Sequence, residues 1–155
     1  MLTRIVKKPS DDTPESPWLD LRRLADVDVT SEDPEWPVAG IFACEASKAW
    51  IAGTSGIQVI QVHFYRPLRL TRIHLVCEEH TDTRTQEFVL RWRAADSAQV
   101  VDIVRQQFTF APPGTTQQSE MYRVNLDDVS LLQLTIAPDI SGGKAVATIQ
   151  RFCAS

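Results

Sequence analysis

A chain of 155 residues with 43% hydrophobic and 23% charged side chains has the length and balance of one globular domain, which excludes a disordered polymer and a wholly membrane-embedded protein. Its formal net charge of -4 repels phosphate backbones at long range, so nucleic acid is a disfavoured partner. No stretch approaches the roughly 20 apolar residues of a membrane-spanning helix.

Residues 1–17 carry Pro9, Pro14 and Pro17 among Ser, Asp, Thr and Glu, and read as a Pro-rich N-terminal arm ahead of a single domain over 18–155. The first residues lack the apolar run of a secretory leader. Cys44, Cys77 and Cys153 are odd in number and include no CxxC pair, so the expectation is reduced, buried thiols in a cytoplasmic protein. Ser16 and Pro17 offer an N-cap and a first-turn proline for a short helix reaching Leu24, and Pro37 to Phe42 offers a second helical turn.

From Ala25 onward, runs rich in Val, Ile, Leu, Thr and aromatics alternate with Pro, Gly, Asp and Ser clusters. Strands are predicted over 25–30, 57–65, 69–79, 86–94, 99–109, 120–126, 131–137 and 144–153. The two-residue period turns Ile60, Val62, Phe64, Ile73, Leu75, Phe88, Leu90, Trp92, Leu134 and Ile136 inward. Trp50, between the small residues Ala49 and Ala52, is a further core residue. Slips of the apolar phase between Val59 and Ile60, and around Val100 to Ile103, predict bulges. Strands that return without long helices between them imply antiparallel connections, and hence an all-β fold: an antiparallel β-sandwich with one or two short helical turns.

Val29 to Asp33, then Trp50-Ile51-Ala52-Gly53, then Gly56 leading into the alternating run Ile60 to Phe64, resemble the opening of a galactose-binding-like jelly roll. That group includes discoidin domains and the amino-terminal domain of the X-ray repair cross-complementing scaffold protein. The resemblance covers roughly Asp26 to Phe152. It implies a non-catalytic module that binds sugars, lipid headgroups, protein partners or DNA ends through loops at one end or across a sheet face. Cys44 to Lys48 stands where an Asp-Gly turn usually precedes the tryptophan, a departure from the discoidin ligand loop and its calcium.

The densest chemistry on a loop is Glu32, Asp33 and Glu35 beside Trp36. An aromatic plate next to carboxylates suits a sugar, whose C–H face stacks while its hydroxyls are hydrogen-bonded. The competing reading is a solvated acidic loop with Trp36 folded back over the sandwich edge. Arg91 and Arg93, with Arg72, His74 and His63 on neighbouring strands, offer a cationic stripe for carboxylate or phosphate, or an ordinary solvated face paired to Glu87 or Asp102. The loop 111–118 is equally readable as a binding loop or a passive crossover.

No motif assembles a catalytic residue set, a metal site or a cofactor cradle. The three histidines are scattered, Glu78-Glu79 and Asp127-Asp128 would point to opposite strand faces, and Ser141-Gly142-Gly143-Lys144 lacks P-loop spacing. The expected function is therefore a non-catalytic ligand-binding module, carbohydrate-binding in the first instance. Its ligand residues are expected among Glu32, Asp33, Trp36, Arg91 and Arg93, with a carbohydrate or other small polyol as partner. A protein-interaction domain that docks a protein partner is the alternative.

Overall fold

Strands form here because β-branched and aromatic side chains recur at every second position, which fits one buried and one wet face. The computed structural model describes residues 1–4, 17–44 and 48–155. It contains β1 (Ala25–Val29), β2 (Trp50–Ile51), β3 (Gln58–Glu78), β4 (Arg84–Ala94), β5 (Val101–Phe110), β6 (Gln117–Ala137), β7 (Thr148–Ile149) and β8 (Arg151–Ala154). A four-residue helix α1 (Leu21–Leu24) and a 3-10 helix (Val38–Ala43) complete the regular elements among the described residues. No helix among them is long and apolar enough to cross a membrane.

The main sheet runs β1-β3-β6-β4-β5, with β8 added along β3, and β2 pairs with β7 apart from it; the pairings are antiparallel. Breaks were expected at Arg66-Pro67 and at Asp127-Asp128, but β3 and β6 each run through as strands of 21 residues. What the breaks mark is a bend. The β3–β6 register shifts between His63 and Arg72, and Asp128 takes φ 54°, a left-handed conformation that Asp tolerates better than most residues. On one side of the bend, residues 58–63 of β3 and 131–136 of β6 lie with β1, β4 and β5; on the other, residues 72–78 and 117–123 lie with β8. The two halves face each other as the layers of a sandwich. The Phe88 ring meets Tyr122 at 6.4 Å, and Gln86 Nε2 donates to Gln118 Oε1 at 2.6 Å.

Nine of the ten residues expected to point inward are buried, and Trp92 is partly buried against the same core. The bulge expected between Val59 and Ile60 is absent: Gln58, Val59 and Ile60 oppose Ile136, Thr135 and Leu134 in unbroken register. The inward residue there is Gln58, whose amide is bonded by Thr30, Ser31 and Thr54, so Val59 sits on the outer face without any slip. The second expected bulge is present at Ile103, because Leu90 opposes Val104 while Arg91 opposes Asp102. The strand expected over 144–153 is two short ones, β7 and β8, with different partners.

Helix α1 begins later than its expected cap. Asp20 is the N-cap and accepts the Arg22 N–H at 3.2 Å, while Ser16 lies outside the described residues, as does most of the Pro-rich arm. The 3-10 helix falls where a helical turn was expected and is shifted by one residue.

The thiol expectation requires correction. Cys44 and Cys153 form a disulfide, and only Cys77 is a free, buried thiol. The bond closes a separation of 109 residues, which no local spacing could reveal. It becomes possible because β8 pairs with β3 and the 3-10 helix packs on β8, with Phe42 and Phe152 ring centroids 5.7 Å apart.

Candidate functional site

The segment between β1 and the 3-10 helix is shaped by its own polar side chains. Asp33 Oδ1 accepts the Glu35 N–H at 2.9 Å, and Trp36 N–H donates to the Asp33 carbonyl at 2.9 Å, which closes a tight turn. Glu32 Oε2 accepts the Val38 N–H at 2.8 Å, a bond to the first residue of the 3-10 helix that its Pro37 cap has no side chain to make. The turn is also anchored to β2: Asp33 N–H donates to the Ile51 carbonyl at 2.8 Å and Ile51 N–H to the Trp36 carbonyl at 3.2 Å.

Below it, Ser31 Oγ receives the Gly53 N–H at 3.0 Å, and Trp50 Nε1 donates to the Ser31 carbonyl at 3.0 Å. Gly53 is required there by space. A Cβ at that position would lie 2.9 Å from the Glu32 carbonyl oxygen. Trp50 is thus a fully buried strut under the turn, as its sequence context predicted, and not a platform for ligand.

This support holds the Trp36 side chain at the surface, 40% exposed. It forms a wall of a concavity of about 340 Å³ whose other lining residues include Arg22 from α1, Glu35 and Pro37 from the turn, Gly40 from the 3-10 helix and Lys48 ahead of β2. Arg22 Nε is bonded to Asp20 Oδ1 at 3.1 Å, and that guanidinium holds the Asp20 carboxyl below its ordinary value. The Lys48 ammonium, the Glu35 carboxylate and the Trp36 indole N–H have no hydrogen-bond partner among the described residues. The concavity therefore offers one aromatic face with donors and an acceptor at its rim.

Of the residues expected to bind ligand, the structure places only Trp36 in this concavity. Glu32 and Asp33 each spend one carboxylate oxygen on a backbone N–H of the turn and do not line it. Arg91 and Arg93 lie on β4, and Arg91 Nε is paired with Asp102 Oδ1 at 2.6 Å across to β5, the cross-strand arrangement weighed as the ordinary solvated face. Arg72 and His74 are not part of a stripe with them: they lie in the opposite layer, beneath Trp18, whose ring is 3.7 Å from the Arg72 guanidinium carbon. Burial there pushes the His74 imidazole below its ordinary value, with Arg151 and Arg72 adding to the effect.

Sequence reasoning missed Arg22 and Lys48. Neither is near Trp36 along the chain, and they meet it only because α1 and the segment before β2 both pack against the 3-10 helix. Two further concavities differ in kind. One, between Asp82 to Arg84 and Asp139 to Ala145, has no aromatic wall. The other contains Tyr65, whose hydroxyl is already bonded to Asp26 at 2.7 Å.

Comparison with solved structures places this architecture among galactose-binding-like jelly rolls, the fold of family-32 carbohydrate-binding modules. The third such module of a family-31 glycoside hydrolase from Clostridium perfringens superimposes with a TM-score of 0.65 at 12% identity, covering 88% of this chain and 93% of that one. The module of AlyQ, solved in complex with 4,5-unsaturated mannuronic acid, gives 0.61 at 18% identity, covering 90% and 98%. A Ruminococcus gnavus family-29 fucosidase in complex with fucose gives 0.64 at 14% identity over 88% of this chain. The chain spans 26% of the fucosidase chain. No family model and no curated protein matches the sequence.

Proposed function

We propose that this chain is a non-catalytic carbohydrate-binding module whose sugar site is the Trp36 concavity. The observation that carries the reading is the exposed indole of Trp36 beside Glu35 and Lys48, polar groups without partners among the described residues, in a depression braced from below by buried Trp50. An indole face removes the apolar C–H face of a pyranose from water, while a carboxylate and an ammonium exchange hydrogen bonds with its hydroxyls. Family-32 modules of the same fold supply the analogy. A glycan array combined with calorimetry on individual sugars tests the reading: binding by wild type and its loss in Trp36→Ala are expected. Absence of binding at millimolar concentration in both assays would refute it.

The disulfide bears on location. Cys44–Cys153 is the kind of bond that persists in oxidising compartments, and we infer that the protein works in one. This departs from the cytoplasmic expectation, which rested on the N-terminal sequence and on unpaired thiols. Alkylation of the two cysteines in intact cells before lysis would show them reduced if the inference is wrong.

A further inference from the structure

We propose that the Trp36 concavity selects glycans bearing a carboxylate over neutral ones. The inference deepens the carbohydrate reading and rests on it. Its ground is the cationic donors that face the ligand. Among the described lining residues, Arg22 and Lys48 are cationic and Glu35 is anionic, while Asp20, paired with Arg22 at 3.1 Å, offsets part of the Arg22 charge. Glu32 and Asp33 keep their negative charge but stand outside the lining, so the groups in direct reach of a ligand are Arg22, Lys48 and Glu35.

Donor capacity matters as much as net charge. Arg22 is tied to Asp20 through Nε, and its two Nη groups have no partner among the described residues. A guanidinium so placed presents a planar fork to a carboxylate, with the Lys48 ammonium as a second, mobile donor. A neutral pyranose would use these groups singly on hydroxyls and leave most of their donors to water. Glu35 accepts from a ring hydroxyl of the one acidic residue seated on Trp36. The protein's net charge of -4 opposes long-range steering of such a ligand, so the preference acts in the bound complex and appears in the dissociation rate.

Carboxylated sugars come from two sources, uronic acids and sialic acids, which share this chemistry. Calorimetry on the full chain with galacturonate and mannuronate oligomers, sialyllactose, galactose and the methyl ester of the galacturonate oligomer separates them. At least one acidic arm should bind about tenfold tighter than galactose, a margin of about 1.4 kcal/mol. Esterification should remove most of that margin on the wild-type protein, without recourse to any variant. Lys48→Gln and Arg22→Gln should each weaken the acidic arm about three- to tenfold more than they weaken galactose, their melting temperatures serving as the fold control. Galactose or the methyl ester binding as tightly as every acidic arm overturns the proposal while leaving the carbohydrate reading intact. Failure of every sugar to bind removes the carbohydrate reading, and the selectivity with it.

Discussion

Replacing Trp50 with alanine tests the division of labour between the two tryptophans around the turn. Trp50 is fully buried, and a Trp side chain removes about 150–250 Å² from water, which at about 25 cal/mol per Å² corresponds to roughly 4–6 kcal/mol as an upper bound. Trp-to-Ala substitutions in cores cost about 3–5 kcal/mol, and the Ser31 carbonyl that now accepts the indole N–H at 3.0 Å would lose that partner. A loss of about 4 kcal/mol, with an m-value near 2 kcal/mol/M, lowers the urea midpoint by about 2 M. Trp36→Ala, starting from a side chain already 40% exposed, should cost about 1 kcal/mol or less, a fall of roughly 2–4 °C in melting temperature. The assay is urea unfolding followed by tryptophan fluorescence and by far-ultraviolet circular dichroism. A Trp50→Ala midpoint equal to wild type, or a Trp36→Ala loss as large as that of Trp50→Ala, would show that the strut and the surface plate have been assigned the wrong way round.

Joint replacement of Cys44 and Cys153 by serine should cost about 2–5 kcal/mol, because it frees a loop of 109 residues in the unfolded chain; wild type in reducing agent should reproduce the loss, and an unchanged thermal midpoint would refute it. Gly53→Ala should destabilise by about 1–3 kcal/mol, since its Cβ would sit 2.9 Å from a backbone oxygen, and a neutral result in thermal unfolding would contradict the close approach. Burial opposes ionisation of Glu79, but Arg84 Nε at 2.8 Å and the Thr81 N–H outweigh it and hold the carboxyl below its ordinary 4.5. Its contribution is therefore present above pH 4.5 and lost as pH falls through the lower folded value, so Glu79→Gln should flatten the acid side of the stability profile; an identical acid limb would refute this. Burial pushes the Cys77 thiol up to about 11, so a thiol reagent at pH 8 should label it only on unfolding, and rapid labelling of native protein would sink the assignment.

The period-two pattern made the core legible, down to Leu90 and Ile136, because burial on one face of a strand is a local property of the chain. It misjudged what lies between strands. Pro67 and the pair Asp127-Asp128 carry breaker chemistry, yet the backbone bends there without ending the ladder, and nothing local distinguishes a bend from a stop. At the site the same limit applies. Trp36 stands out in the sequence as an aromatic among loop acids, whereas the bonds of Glu32 and Asp33 to the N–H groups six and two residues ahead, respectively, become legible only in the fold. Short-range backbone capping competes for Asp and Glu in any loop. Arg22 and Lys48 carried no signal at all, since only the packing of α1 and the 3-10 helix brings them to the indole.

Because β3 and β6 each belong to both layers, neither layer can melt while the other stays whole. Peeling β4 and β5 away would expose residues 131–137 of a strand whose other half, residues 117–126, is still clamped to β3. The two strands thus act as continuous cables through the whole molecule. Amide hydrogen exchange along residues 58–78 and 117–137 should accordingly approach one common opening free energy instead of separating into two independent units. A sandwich built this way resists partial opening, since force entering either layer is carried by backbone into the other.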